Sequence, residues 1–290
     1  MLRTIVVGLD GSPESLAAAD WAAREAQRRG LPLRLVNAWI WQPHDVPVTE
    51  DLETQKSWAL RTLREAKEDL AARYPDLPID TRQVSDLATP VLLDQAEGSE
   101  MLVLGSRGHG AIAGFLLGSV GQHVLARSKN PVVMVRANER SAAEPDGAEV
   151  VVALQDLSEL AEPLLEFAFA AAAAREATLR TVHAWQLAPV FGYNPAALHI
   201  RDEDGGQKAR AARDLDELLK PWREKYPQVP VVQTLDLASA SGVVLQAAVD
   251  AGLVVVGRKV HRPALGMRIG PVTHAVLHHA AAPVAVVPHD

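Results

Sequence analysis

No cysteine occurs anywhere in the chain, which excludes disulfide frameworks, thiolate nucleophiles and cysteine metal sites. An excess of positive charge is also missing. The 29 lysines and arginines face 36 acidic residues for a formal net charge of -7, and no dense Lys/Arg cluster breaks that balance. General nucleic-acid binding is thereby disfavoured. Long hydrophobic runs are scarce too. The Ala-rich stretch at 167–174 is closed by Glu166 on one side and Arg175-Glu176 on the other, too short to span a bilayer. The first residues, Met1-Leu2-Arg3-Thr4-Ile5, enter a strand directly, without the apolar length of a signal peptide. These absences lead us to expect a cytoplasmic protein with neither a membrane nor a nucleic acid as partner. Finally, no glycine is followed at the right spacing by Gly-Lys-Ser/Thr, so a Walker-type phosphate loop is absent.

What is present suffices for about two globular domains: 290 residues, 48% hydrophobic and 22% charged. Strand and helix patterns alternate from the start. Ile5-Val6-Val7-Gly8-Leu9 reads as a strand, and Asp10-Gly11-Ser12-Pro13 turns it into a helix with Ser12 as N-cap. Leu16, Ala19, Trp21 and Ala23 begin the apolar face of that helix, which Gly30 stops. A second strand at 33–39 leads to a proline-marked loop at 40–51, placed where a lid would sit. A long helix from about residue 53 to 73 carries Trp58, Leu63, Ala66 and Leu70 on its buried side, and Tyr74-Pro75 ends it. Residues 79–84 read as a third strand, Thr89-Pro90 opens a short helix, and Pro131 to Val135 form a fifth strand. Such alternation implies a doubly wound parallel sheet.

The fourth strand holds the most informative stretch, residues 101–119. Met101-Leu102-Val103-Leu104 is a short continuous apolar run ending at Gly105, the pattern of a buried parallel strand. Gly108 follows, then Gly118 and Ser119, where another helix begins with Val120, Val124 and Leu125 on its apolar face. Glycines past such a strand allow positive φ and close backbone approach, and a helix N-terminus attracts anions. A phosphate is the expected guest. A G-x-G-x-x-A match at 108–113 is a decoy, since it starts too far past the strand and lacks the acidic residue downstream.

The spacing G-x2-G-x9-G-[ST], met at Gly105, Gly108, Gly118 and Ser119, resembles the ATP-binding signature of the universal stress protein family. The resemblance implies that Gly105, Gly108, Ser119 and Val120 cradle phosphates, with Gly8 and Gly118 in the same site. It implies that the backbone at Ala38 recognises adenine and that Asp10 lies near the nucleotide, with Mg2+ as a companion ion. Asp10 is equally read as a strand-terminal turn former. Arg107 and His109 are candidate phosphate contacts or solvated loop side chains. The hydroxyl residue common in the family at the position of Gly121 is missing, which leaves a triphosphate preference open.

The whole pattern then repeats. Residues 138–148 have the polar, Pro/Gly-containing character of a linker, giving expected domains at 1–137 and 149–290. Val150-Val151-Val152 echoes the first strand, Val182-His183-Ala184-Trp185 echoes Val36-Asn37-Ala38-Trp39, and Lys225-Tyr226-Pro227 echoes Arg73-Tyr74-Pro75. Residues 253–287 overlay 101–135 without a gap. The fold class expected is α/β: two tandem doubly wound, Rossmann-like five-stranded domains, each of strand order 3-2-1-4-5. The family resemblance, which includes tandem forms, covers nearly the whole chain.

The second copy of the motif is degraded. Val260 stands for Gly108, Pro271 for Ser119 and Gln155 for Asp10, although Gly257 and Gly270 are kept. Valine disfavours positive φ and proline removes a donor N–H, so one competent nucleotide site is expected, in the first domain. Arg258, Lys259, His261, Arg262 and Arg268 would supply charge to a rebuilt second site. His274 and His278 lie one helical turn apart with His279 beside them, and are read as a solvated helix face rather than a metal site.

Three functional readings follow. The first is an ATP-binding regulatory protein that senses a nucleotide and couples it to conformation or to an unidentified protein partner, with at most slow hydrolysis. The second is an adenylylating enzyme on the same scaffold, and the third is a nucleotide-free interaction scaffold. The final strand of each domain is expected to pair modules about a two-fold, as a pseudo-dimer within one chain or as a homodimer.

Overall fold

Short apolar strands alternating with amphipathic helices divide the chain into two units, residues 1–144 and 145–290. A computed structural model of the protein describes residues 3–39, 52–106, 118–138, 148–185, 206–260 and 269–290. The proline-marked loop, Arg107 to His109, most of the linker, and His261, Arg262 and Arg268 lie outside the described residues.

The first unit runs β1 (Ile5–Gly8), α1 (Pro13–Arg29), β2 (Leu33–Ala38), α2 (Leu52–Arg73), β3 (Ile79–Val84), α3 (Ala88–Ala96), β4 (Met101–Ser106), α4 (Ser119–Arg127) and β5 (Val132–Arg136). Its strands lie in the order β3-β2-β1-β4-β5, all parallel, as expected from the sequence. Ile5 is in register with Leu33 on one side and Met101 on the other, so β1 and β4 form the centre. Covered on both faces, their residues are apolar without alternation, and Ile5 to Val7 and Met101 to Val103 are fully buried. At the edge, β3 instead exposes Asp80 and Arg82, charges that protect an unpaired strand.

Helix α1 begins as its sequence dictates. The Ser12 hydroxyl accepts the Ser15 N–H, Pro13 occupies the first turn, and Gly30 closes the helix in the left-handed region at φ 62°. Its buried stripe is Ser15, Ala18, Ala19, Ala22 and Ala26, with Trp21 and Ala23 beside it. Leu16, expected on that stripe, is 44% exposed. It sits a third of a turn away from the stripe, whose small residues let the helix lie close to the sheet. On α2, Leu63, Ala66 and Leu70 are buried as expected, while the Trp58 side chain is outside the described residues.

The repeated Tyr-Pro at the end of this helix has a structural purpose. Tyr74 Oη donates to Asp20 Oδ1 of α1 at 3.2 Å, and Arg73 pairs with the same carboxylate. The second unit repeats the arrangement: Tyr226 Oη donates to Glu166 Oε1 at 2.9 Å, and Lys225 pairs with Glu166. One carboxylate thus receives both a phenol and a cation in each copy.

The second unit contains β6 (Val150–Ala153), α5 (Glu162–Arg175), β7 (Leu179–Ala184), α6 (Gly206–Lys225), β8 (Val231–Asp236), α7 (Ala240–Ala247), β9 (Leu253–Lys259), α8 (Pro271–His279) and β10 (Val284–His289). Its parallel order, β8-β7-β6-β9-β10, reproduces that of the first. No described helix in either unit is long and apolar enough to cross a membrane.

Candidate functional site

In an open parallel sheet the strand order reverses between β1 and β4, and the loops leaving their carboxyl ends diverge to leave a crevice. A cavity of about 250 Å³ occupies that position in the first unit. Gly8, Leu9 and Asp10 supply its β1 wall, and Val36 and Ala38 its β2 wall. Leu104 and Gly105 come from β4, Ala88 and Leu92 from α3, and Gly118 to Gly121 from the start of α4. Among the residues singled out from the sequence, Gly8, Asp10, Ala38, Gly105, Gly118, Ser119 and Val120 therefore surround one cavity. Arg107, Gly108 and His109 lie outside the described residues. Ser12, Glu14 and Ser15 of α1 also line the cavity, and sequence reasoning did not place them there.

Two glycines behave differently from the expectation. β4 does not end at Gly105 but continues to Ser106, with Gly105 paired to Val135 and Ser106 to Arg136. Neither Gly105 nor Gly118 is among the described glycines at positive φ, which are Gly11, Gly30, Gly98 and Gly206. Gly105 is instead required by packing. A Cβ there would stand 2.4 Å from the carbonyl carbon of Glu14, 2.5 Å from its oxygen and 2.7 Å from Ser15 N. The bare glycine lets the first turn of α1 descend onto β4, which is what brings Ser12, Glu14 and Ser15 to the cavity. A Cβ on Gly118 would meet nothing within 4 Å.

Three helix N-termini reach this cavity, α3 at Ala88 and those of α1 and α4, and the latter two differ in how their N–H groups are satisfied. In α1 the Ser12 hydroxyl donates to Asp10 Oδ1 at 2.5 Å and accepts the Ser15 N–H at 3.2 Å, while the Ser12 N–H also reaches Asp10 Oδ1 at 3.0 Å. Asp10 thus forms the turn that the sequence allowed as one of its two readings. In α4 the N-cap is Gly118, which has no side chain to offer, and the first helical hydrogen bond runs from Gln122 N to Gly118 O at 3.0 Å. With no N-cap side chain, the N–H groups of the first turn and the exposed Ser119 hydroxyl stand at the cavity lining, at the positive end of the helix dipole. Such a corner is suited to an anion. The β2 wall is fixed from beneath: Asn37 Nδ2 donates to Leu9 O at 2.7 Å, tying the end of β2 to the exit of β1.

The second unit carries a counterpart of about 100 Å³ in the same position. Here Gln155 replaces Asp10, Pro271 opens α8 without a donor N–H, and Leu160 and Ala161 line the wall where α1 presents serines. Thr273 lines it with its Oγ1 donating to Gly257 O at 2.9 Å, and His289 from β10 enters the lining as well. A Cβ on Gly257 would lie 2.7 Å from His289 Nε2 and 3.0 Å from Leu164 Cδ2, so a side chain here would displace those two side chains, where one at Gly105 would meet backbone. Overlay of the two sequences stopped at Val287, two residues short of the histidine, and left it unseen. Of the cations expected to rebuild this site, Arg258 is buried and Lys259 Nζ lies 3.7 Å from Asp156. Neither is among the described residues lining the cavity.

The histidines of α8 form a face whose rings stack, His274 on His278 with centroids 4.1 Å apart. Among the described residues, no three His, Asp or Glu side chains gather as a metal site.

Comparison with known proteins agrees with this architecture. The model described as "Universal stress protein family" matches residues 1–136 and 148–288. A universal stress protein of Mycobacterium tuberculosis is 33% identical over 97% of this chain and 96% of its own length. Another, from Mycolicibacterium smegmatis, is 31% identical over 98% of this chain and 96% of its own. In fold, the chain is similar to the crystal structure of a universal stress protein from Archaeoglobus fulgidus, with a TM-score of 0.73 over 98% of each chain at 17% identity.

Proposed function

We propose that this chain, which belongs to the universal stress protein family, binds ATP in its first domain and couples the bound nucleotide to conformation or to a protein partner. The observation that carries this reading is the N-terminus of α4, which has a glycine and no side chain at its N-cap and opens with Ser119 onto a cavity of about 250 Å³ at the switch point of the sheet. A phosphate supplies the acceptors that Gly118 cannot. The apolar wall of Val36, Leu92 and Leu104 suits a flat base, with the Ala38 backbone at its edge. Asp10 and Glu14 on the lining would repel a bare polyphosphate. Mg2+ carried by the phosphates would offset that charge. The protein works in the cytoplasm as a sensor rather than a turnover enzyme.

The test is the nucleotide content of the purified, heat-denatured full chain, read by absorbance and anion exchange, beside Ser119→Pro. Gly118 already holds φ -57° and ψ 152°, a conformation that suits the residue before proline, and the first helical position tolerates proline. The substitution removes one hydroxyl and one N–H without disturbing the helix. About one ATP per chain is expected in the wild type, with affinity at least about a hundredfold weaker in the variant. Failure of the wild type to bind added ATP with magnesium would overturn the reading in favour of an interaction scaffold.

A further inference from the structure

The cavity of the second domain has changed its chemistry without closing. Its walls are Leu164, Val182, Val244 and Val256, and Leu160, 45% exposed, stands at its lip. Two donors are lost: Pro271 has no N–H, and the single proton of Thr273 Oγ1 is given to Gly257 O at 2.9 Å, while the Gln155 amide and the first-turn N–H groups of Val272 and Thr273 stay on the lining. A ring acceptor has entered beside the Gln155 and Asp156 side-chain oxygens. His289 Nδ1 lies 3.0 Å from the carbonyl oxygen of Asp290, an atom that only accepts, so Nδ1 carries the ring proton. In the neutral ring Nε2 is then a lone pair on the cavity wall, seated over the bare face of Gly257. The carboxylate of Asp156 on the same lining, with Lys259 drawn toward it at 3.7 Å, is unsuited to an anion.

We propose that this cavity is a second ligand site, specific for a small, flat, uncharged molecule bearing one hydroxyl or N–H donor, of which phenol is the simplest representative. Apolar cavities of about 150 Å³ accept a benzene ring. At about 100 Å³ this one takes such a ring in part, leaving the remainder at the open lip beside Leu160. The ring contacts the valine walls and the donor reaches His289 Nε2. This inference does not depend on nucleotide binding in the first domain.

The experiment titrates the full chain with phenol and with benzene, following the His289 ring nitrogens and the valine methyls by NMR. Saturable binding of both is expected, with phenol favoured roughly fivefold, the worth of one neutral hydrogen bond. The Nε2 resonance should respond to phenol alone, and ligand-to-methyl Overhauser contacts should map to Val182, Val244 and Val256. In His289→Phe the ring volume is kept and the acceptor lost, so benzene should still bind and the phenol preference should vanish. Val244→Trp fills the cavity and should abolish both. Absence of saturable shifts in the wild type would overturn the proposal, as would Overhauser contacts elsewhere or an unchanged phenol preference in His289→Phe. Displacement of phenol by ATP in the Ser119→Pro chain would overturn it too, by making this a second nucleotide site. The wild-type contacts decide the matter even where a variant does not fold.

Discussion

Replacing Gly105 by alanine separates a packing glycine from a binding glycine. The added methyl would meet the Glu14 carbonyl carbon at 2.4 Å and Ser15 N at 2.7 Å, where carbon contacts are comfortable at about 3.5–4.0 Å. Both neighbours are backbone, so no rotamer change relieves the clash. Helix α1 must retreat by about 1 Å or β4 must bend. Overpacking of this kind costs about 1–3 kcal/mol, and alanine in a strand recovers less than about 1 kcal/mol of that through its lower chain entropy. A net loss of about 2 kcal/mol corresponds to a fall in Tm of roughly 4–8 °C for a domain of this size. Calorimetry of the full chain measures the fall. Hydrogen exchange should place the lost protection in α1 and β4 and leave the second domain unchanged. Gly118→Ala is the control: its Cβ meets nothing within 4 Å and its φ is -57°, so the loss should not exceed about 1 kcal/mol, the N-cap preference for glycine over alanine. A Gly105→Ala protein with unaltered Tm and exchange would refute the close approach of α1 to β4.

Two further outcomes are expected. Glu25 is fully buried on α1, with Arg29 Nε at 2.5 Å and Arg28 at 3.9 Å, so Glu25→Gln removes the charge facing the Arg29 guanidinium, which also lies 3.4 Å from Glu100. Urea denaturation should show a loss of about 2–4 kcal/mol. Burial, aided by Lys259 and Arg258, holds the His289 imidazole below its ordinary pKa against the opposing pull of Asp290 and Asp156. Folding therefore favours its neutral form. That contribution is complete above the unfolded value of about 6.5 and is lost as pH falls through the lower folded value. The unfolding midpoint of the second domain should decline just below pH 6.5, and His289→Phe should flatten that decline.

The fold was legible in the sequence because its signals are local. Continuous apolar runs at β1 and β4 reflect burial on both faces, and the Ser12-Pro13 and Gly30 signals bracket α1 where the hydrogen bonds now place its ends. The strand order followed because alternating strands and helices permit few topologies. The cavity was legible as far as it is built from strand ends and helix starts, which is why Asp10, Ala38 and Ser119 meet there. What stayed hidden depends on contacts distant in sequence. No local pattern shows that Gly105 lies beneath Glu14, that Leu16 misses the buried stripe, or that a histidine at the last strand's end reaches across to Gly257. Motif spacing pointed to Gly105, whose place beneath Glu14 depends on packing, while among the described residues near this cavity positive φ falls at Gly11, with φ 82°.

The packing of His289 and Leu164 against Gly257 also bears on how such repeats drift apart. A residue retained for shape is answerable to the polypeptide alone, and stays under constraint after its original ligand is lost. Gly257 is thus a poor witness to what the second domain binds. Residues freed from shape, such as the exposed Pro271 at the start of α8, register a change of ligand first. In a tandem chain of this kind, counting ligand sites by their surviving glycines would overstate the number. Reading the first turn of the helix that follows gives the truer count.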